Sequence, residues 1–416
     1  MRNSSSSLSQ LSKTAIVLVP VVVAFFLSTV PKQLGFYRWL SESISPQLVG
    51  CSPATILSED QWGFTFGDLY GDEADNDGDA AAYRNRLEGQ TALVTGANSG
   101  TGYEVSLALA RLGVGVTMAC RNPEKCASAA EKIGADEVVA RRIARGRGDL
   151  PTTEIVDVSS LESVKAFCDR FLAARLAPLD MLFLNAGIGD IGPSVDGSLR
   201  LSADGIELIF ATNVVGHHLL YRLLEPLLLV GSSGESEVPA RIVLTSSCTA
   251  YDSLYPYRVA TDLETLNGVS GKSPFRYPQS KLAQFLWARE LTERLSNSGG
   301  GGRRSVYANA AHPGFVATDI WDKNPFDFPL GGCLKSLLLS AKSVMWTPEE
   351  GALTLLYLGT AVDKLREDDI RGQYFHPQSR WMKDNYPLAG ETEAYKKDLQ
   401  KRLWSFLEEL VAEHVA

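Results

Sequence analysis

One stretch of this chain limits its fold more than any other. An apolar run, Thr91-Ala-Leu-Val-Thr95, passes into Gly96-Ala-Asn-Ser-Gly100-Thr-Gly102 and then into Tyr103-Glu-Val-Ser-Leu-Ala-Leu-Ala-Arg-Leu112, where apolar residues recur at helical spacing. The glycines therefore sit at a strand-to-helix turn. They permit the tight turn and let a pyrophosphate approach backbone N–H groups at the positive end of a helix, with Asn98 and Ser99 as added donors. Further short apolar runs at 115–119, 154–157, 180–185, 241–246, 305–310 and 372–375 alternate with helical periodicity. That alternation predicts an α/β fold: a Rossmann-type, doubly wound parallel sheet with helices on both faces.

Downstream lie Asn185-Ala-Gly187, Asn213, Ser247 and Tyr277-Pro-Gln-Ser-Lys281. Tyr277 and Lys281, one helical turn apart, share a face of their helix. A phenol titrates near pH ~10, and an adjacent ammonium favours the phenolate and brings it toward working range. Cofactor choice is set at the end of the second strand, about 20 residues after the glycines, where an arginine accommodates a ribose 2′-phosphate. Arg121 stands there with Lys125 four residues on, which predicts NADP(H).

In order and spacing these residues resemble the short-chain dehydrogenase/reductase family, over residues 88–380. Ala119-Cys-Arg-Asn-Pro-Glu-Lys125, His312-Pro-Gly-Phe-Val-Ala-Thr318 and Gly372-Gln-Tyr-Phe375 are similar to its membrane-associated retinol dehydrogenase type. The resemblance implies a carbonyl/alcohol oxidoreductase in which Ser247 orients the carbonyl, Tyr277 exchanges the proton, and Lys281 lowers its pKa and holds the nicotinamide ribose. It further implies that Asn213 holds a water for proton relay, that Asn185, Ala186 and Gly187 border the ribose, and that Asp157 and Val158 meet the adenine. Pro313, Gly314 and Thr318 would contact the carboxamide side of the nicotinamide. Two departures or alternatives stand beside this. Thr101 replaces a more usual apolar residue, with only its N–H needed, and Ser246 is the rival to Ser247. On chemistry alone Asp157 is equally well a helix cap. A protochlorophyllide reductase-like enzyme and a non-catalytic NADPH-sensing protein are the alternative readings.

The net charge of −9 argues against a nucleic-acid partner. Arg141, Arg142, Arg145 and Arg147 read as a solvated loop. Six scattered cysteines suggest neither a disulfide framework nor a zinc site, and no metal is expected; His217 and His218 read as packing or surface residues. Residues 14–30 are 17 uncharged, mostly apolar positions at the lower edge of a membrane span, so residues 1–30 are expected to be a leader with an uncleaved anchor. The endoplasmic reticulum is the expected membrane, and the Ser-rich start leaves an organelle leader open. Residues 31–87 read as a partly acidic linker, in which Asp75-Asn-Asp-Gly-Asp79 fails as a calcium loop because Arg84 falls where a carboxylate is needed. The aromatic and apolar stretch 321–346 reads as a lid, implying a lipophilic small-molecule substrate; residues 381–416 end in an amphipathic helix from 392. A homodimer is left open.

Overall fold

The computed structural model describes residues 64–70, 87–174, 178–189, 198–230, 238–253, 258–268, 276–297, 304–318 and 345–415. After a short helix α1 (Phe66–Tyr70), strand β1 (Thr91–Thr95) enters the glycine turn and helix α2 (Gly100–Arg111). Then follow β2 (Gly115–Cys120), α3 (Pro123–Gly134), α4 (Glu137–Ala144), β3 (Thr152–Ile155), α5 (Leu161–Ala174) and β4 (Met181–Leu184). A π-helical turn (Ala211–Val215) leads into α6 (Gly216–Leu229), β5 (Ala240–Thr245), a 3-10 turn (Cys248–Asp252), α7 (Leu263–Gly268) and α8 (Arg276–Asn297). The chain closes with β6 (Val306–Ala311), α9 (Pro348–Thr360), α10 (Val362–Glu367), β7 (Tyr374–His376), β8 (Arg380–Trp381) and α11 (Glu393–Val415).

The strands form one sheet in the order β3-β2-β1-β4-β5-β6-β7-β8, parallel except for the β7–β8 pair. Chain order reverses between β1 and β4, so the crevice beyond their carboxyl ends is the place where a doubly wound sheet binds ligands. Both faces are covered. One carries α2, α3 and α9 through Leu109, Ile133 and Leu355; the other carries α5, α6, α8 and α11 through Phe167, Leu220, Phe285 and Leu407. Strands buried on both sides read as unbroken apolar runs, as Met181–Leu184 does.

Two extensions prove to be parts of the core. Leu69 of α1, inside the stretch expected to be linker, is fully buried, and Phe64 packs edge-on against Tyr357. Helix α11 likewise buries Leu399, Leu403 and Leu407 against α8 and α6. Among the described residues no helix is long and apolar enough to cross a membrane; the expected anchor (14–30), the acidic stretch and nearly all of the expected lid lie outside them.

Candidate active site

Gly96 and Gly100 take left-handed backbone (φ +67° and +58°), which a side chain would strain. Space is as restrictive as conformation. A Cβ on Gly96 would stand 3.0 Å from the Ala186 Cα, and one on Gly100 3.0 Å from the Thr318 methyl. One on Gly102 would overlap the Asn185 amide and the Gly96 carbonyl. The turn thus draws the 185–187 segment and Thr318 around itself. Ser99 gives α2 no side-chain cap, leaving the helix's first N–H groups for an anion. This cradle fits a dinucleotide pyrophosphate.

Asn185 turns out to be a tie holding the cradle together. Its backbone N–H and that of Ala186 donate to Thr95 Oγ1 at 2.9 and 3.0 Å, and its amide donates to the Thr95 carbonyl at 3.0 Å. Its Oδ1 accepts from Thr101 and Thr245 hydroxyls at 3.0 and 3.2 Å. The Thr101 side chain, expected to be idle, is thus one of the bonds that join α2 to β4.

Gly96 N–H donates to the Ala119 carbonyl at 2.8 Å, placing the end of β2 beside the cradle. Arg121 and Lys125 follow there, both exposed and neither in an ion pair among the described residues. Asn122 caps α3 by accepting from the Lys125 N–H at 2.8 Å. Against expectation, Cys120 and Cys126 form a disulfide that brackets both cations. A strand end and the first turn of the next helix bring their Cα atoms to 5.9 Å, ordinary disulfide range, at a spacing that matches no common cysteine motif. Asp157 makes a turn ahead of α5, its Oδ1 accepting from the Ser159 N–H and hydroxyl at 2.9 and 2.6 Å, while Ser160 Oγ takes the Ser163 N–H of the helix at 3.3 Å. Val158 beside it is buried under α6.

Across the crevice, α8 supplies Tyr277 and Lys281. Its start is fixed by the fully buried Arg276, 3.7 Å from the Glu207 carboxylate, while Glu207 itself caps the Ile209 and Phe210 N–H groups. Ser246 points into the protein and donates to the Lys281 carbonyl at 2.8 Å. Ser247 heads the 3-10 turn and hydrogen-bonds the Tyr277 hydroxyl. The Lys281 amine lies 5.3 Å from the centre of the Tyr277 ring. Burial pushes the Tyr277 phenol above its ordinary value, opposed by the Ser247 hydrogen bond, and lowers Lys281 to about 7. The expected lowering of the phenol by an ammonium is therefore not realised in the protein alone: desolvation outweighs it and weakens the ammonium as well.

Asn213 lies within the π-helical turn, fully buried. Its side chain is filled: Oδ1 accepts from the Ile188 N–H at 2.9 Å, and Nδ2 donates to the Ile188 carbonyl and to Ser280 at 3.1 and 3.0 Å. Its carbonyl receives Gln284 Nε2 at 3.0 Å and His217 Nδ1 at 3.2 Å. His217, read from the sequence as packing, faces Thr95 Oγ1 at 3.0 Å through its other nitrogen; burial lowers it to about 4, so it is neutral. His218 does serve packing, edge-on to Trp404 and accepting from the Trp287 indole at 2.9 Å. Gln284 went unread although Lys281 stands three residues before it on α8, because its other partner, the Asn213 carbonyl, lies on the π-helical turn; Thr95 was read only as the start of the glycine turn.

Beyond β6, Pro313 and Gly314 lead to Thr318. Gly314 (φ +96°) lies against the Trp346 indole, and Val316 pairs with Trp346, so the two ends of the 319–344 segment are held together beside the cradle. No group of residues suited to a metal ion occurs among the described residues.

A glycine cradle at the switch point of a parallel sheet, faced by a serine, a tyrosine and a lysine, defines a dinucleotide-binding oxidoreductase of the α/β class. The chain belongs to the short-chain dehydrogenase family, whose profile matches residues 90–258. Human retinol dehydrogenase 14 is 34% identical over 295 residues, which are 70% of this chain and 78% of that protein. The chloroplastic short-chain dehydrogenase TIC 32 A of Brassica napus is 30% identical over 323 residues, 77% of this chain and 88% of that one. A crystal structure of an uncharacterized protein from Mycobacterium paratuberculosis shares the fold, with TM-score 0.51 and 24% identity over 79% of this chain and 97% of that one. Within the family the chain is of the retinol dehydrogenase type.

Proposed function

We propose that the protein interconverts a carbonyl and an alcohol on a lipophilic small molecule, of retinoid, steroid or fatty-aldehyde chemistry, with NADP(H). The observation that carries this is the convergence of Ser247, Tyr277 and Lys281 beside the cradle. Arg121 and Lys125, exposed beyond β2 and without ion pairs among the described residues, support the phosphorylated cofactor. The retinol dehydrogenase relatives and the apolar 321–346 sequence support the substrate class. When bound, the nicotinamide supplies the hydride. Ser247 orients the carbonyl oxygen, and in the reduction direction Tyr277, whose phenol burial keeps protonated, gives that oxygen its proton. Lys281 steadies the charge left on Tyr277.

Tyr277→Phe should lower NADPH-dependent retinaldehyde turnover about 10²- to 10⁴-fold with cofactor affinity nearly unchanged. Retained turnover would show that the proton donor lies elsewhere. NADPH binding without turnover in the unmutated protein, across all three substrate classes, would favour a sensing role. Arg121→Asp should erase a preference for NADPH over NADH of about 10- to 150-fold, read by fluorescence titration. Equal affinities before mutation would overturn the cofactor assignment.

A further inference from the structure

Lys281 stands in a buried wall with no carboxylate beside it among the described residues, and the group that completes its coordination is a side chain the catalytic reading leaves unused. The Lys281 amine donates to the Thr245 carbonyl at 2.8 Å and to Gln284 Oε1 at 3.2 Å. Gln284, itself buried, turns its Nε2 to the Asn213 carbonyl at 3.0 Å. That carbonyl accepts a second proton donor, His217 Nδ1. A carbonyl can only accept, so His217 carries its proton on Nδ1 and takes the Thr95 hydroxyl on Nε2, in keeping with a neutral ring. Both lone pairs of the Asn213 carbonyl are thereby occupied by protein side chains. The water expected on Asn213, between it and the lysine, has no place there: the Gln284 amide spans the same gap with a fixed donor and a fixed acceptor.

We propose that Gln284 is a positioning residue of the hydride-transfer site, whose amide bridges the Lys281 amine and the Asn213 carbonyl in place of a water and so holds the amine against Tyr277. This rests on the assignment of Tyr277 and Lys281 made above. The other titratable groups around the pair are His217 from α6, the Cys248 thiol from the 3-10 turn, and Glu207 with Arg276 at the start of α8. His217 is neutral, and Glu207 and Arg276 offset each other, so Gln284 is the polar group whose loss bears on the amine.

The sign of the effect separates positioning from packing. Removing the Oε1 acceptor makes the ammonium less favourable, so Lys281 should titrate below its value of about 7. Mere loosening would admit water, relieve the burial and move Lys281 up toward the ordinary lysine value. The measurement is the carbon-13 NMR titration of the Lys281 Cε in the full-length protein, assigned by the signal lost in Lys281→Met and needing neither substrate nor cofactor. Gln284→Met should lower that midpoint by about half a unit to one unit and cut NADPH-dependent retinaldehyde reduction about 3- to 10-fold. Gln400→Met, a buried glutamine exchanged on α11, should change neither. If Gln284→Met does not fold, Gln284→Asn, whose amide is one methylene short, takes its place with the same expected direction. An unchanged or raised midpoint in the Gln284 variant, with Tyr277→Phe inactive, overturns the inference and leaves the catalytic assignment standing. An active Tyr277→Phe overturns both.

Discussion

Lys281 has a thermodynamic signature of its own, separate from catalysis. Burial lowers it to about 7, whereas in the unfolded chain it keeps the ordinary lysine value of about 10.5. Between those values the unfolded chain binds the extra proton, so stability rises with pH across that window; below about pH 7 both states are charged and the full desolvation cost is present. Lys281→Met, which removes the charge at every pH, should therefore gain more over the unmutated protein near pH 6 than near pH 9. The difference should be on the order of 2 kcal/mol, read from thermal melts at the two values. Equal gaps would show that Lys281 titrates in the folded protein as it does in water. Tyr277, raised by burial, acts oppositely, costing stability as pH climbs past the ordinary phenol value. Tyr277 and Lys281 were legible in the sequence because one helix carries both. The roles of Gln284, His217 and the Thr95 hydroxyl were not, because the Asn213 carbonyl, the His217 ring and Thr95 come together only when α8, α6 and β1 meet.

At the scale of elements, the seven parallel strands were legible to within about two residues, the central ones because strands buried on both faces are largely apolar; β3, an exposed edge strand of sequence Thr-Thr-Glu-Ile, lies two residues earlier than its reading. Strand β8 was not: two half-buried residues returning antiparallel on β7 carry too short a pattern to read. Nor was the π-helical turn, since its backbone form leaves no periodicity in five residues. Close approach between elements is equally hidden until the chain folds, and Gly216 shows it. Helix α6 starts so near the chain leaving β3 that a Cβ on Gly216 would overlap the Val158 carbonyl, a backbone atom that cannot swing aside. Gly216→Ala should thus destabilise by about 1–3 kcal/mol although alanine is the better helix former. It should also weaken NADPH binding, since the same shift displaces the π-helical turn that carries Asn213. A melting temperature equal to or above that of the unmutated protein would show that α6 can slide without cost.

For the whole molecule, the two ends of the chain differ in what they owe the fold. Leu399, Leu403, Trp404, Phe406, Leu407 and Val411 of α11 are buried, and at about 1.5–3 kcal/mol for each large apolar side chain they contribute about 10–20 kcal/mol. A folded domain retains only about 5–15 kcal/mol in net stability, so deletion from residue 392 onward should leave an insoluble or unfolded product. The opposite end carries the apolar 14–30 segment, through which we propose the protein is held in a membrane, the endoplasmic reticulum being the expected one and the chloroplastic relative supporting an organelle as the rival. Only Arg2, Lys13, Lys32 and Arg38 flank the segment in a chain of net charge −9, so hydrocarbon burial rather than charge is expected to carry the attachment. It should then survive both high-salt and alkaline carbonate washing. Deletion of residues 1–40 should release a soluble protein that binds NADPH as before, because the cradle and its sheet begin at β1. Release of the full-length protein by salt alone, or a mature N-terminus beyond residue 30 in the soluble fraction, would overturn the tether.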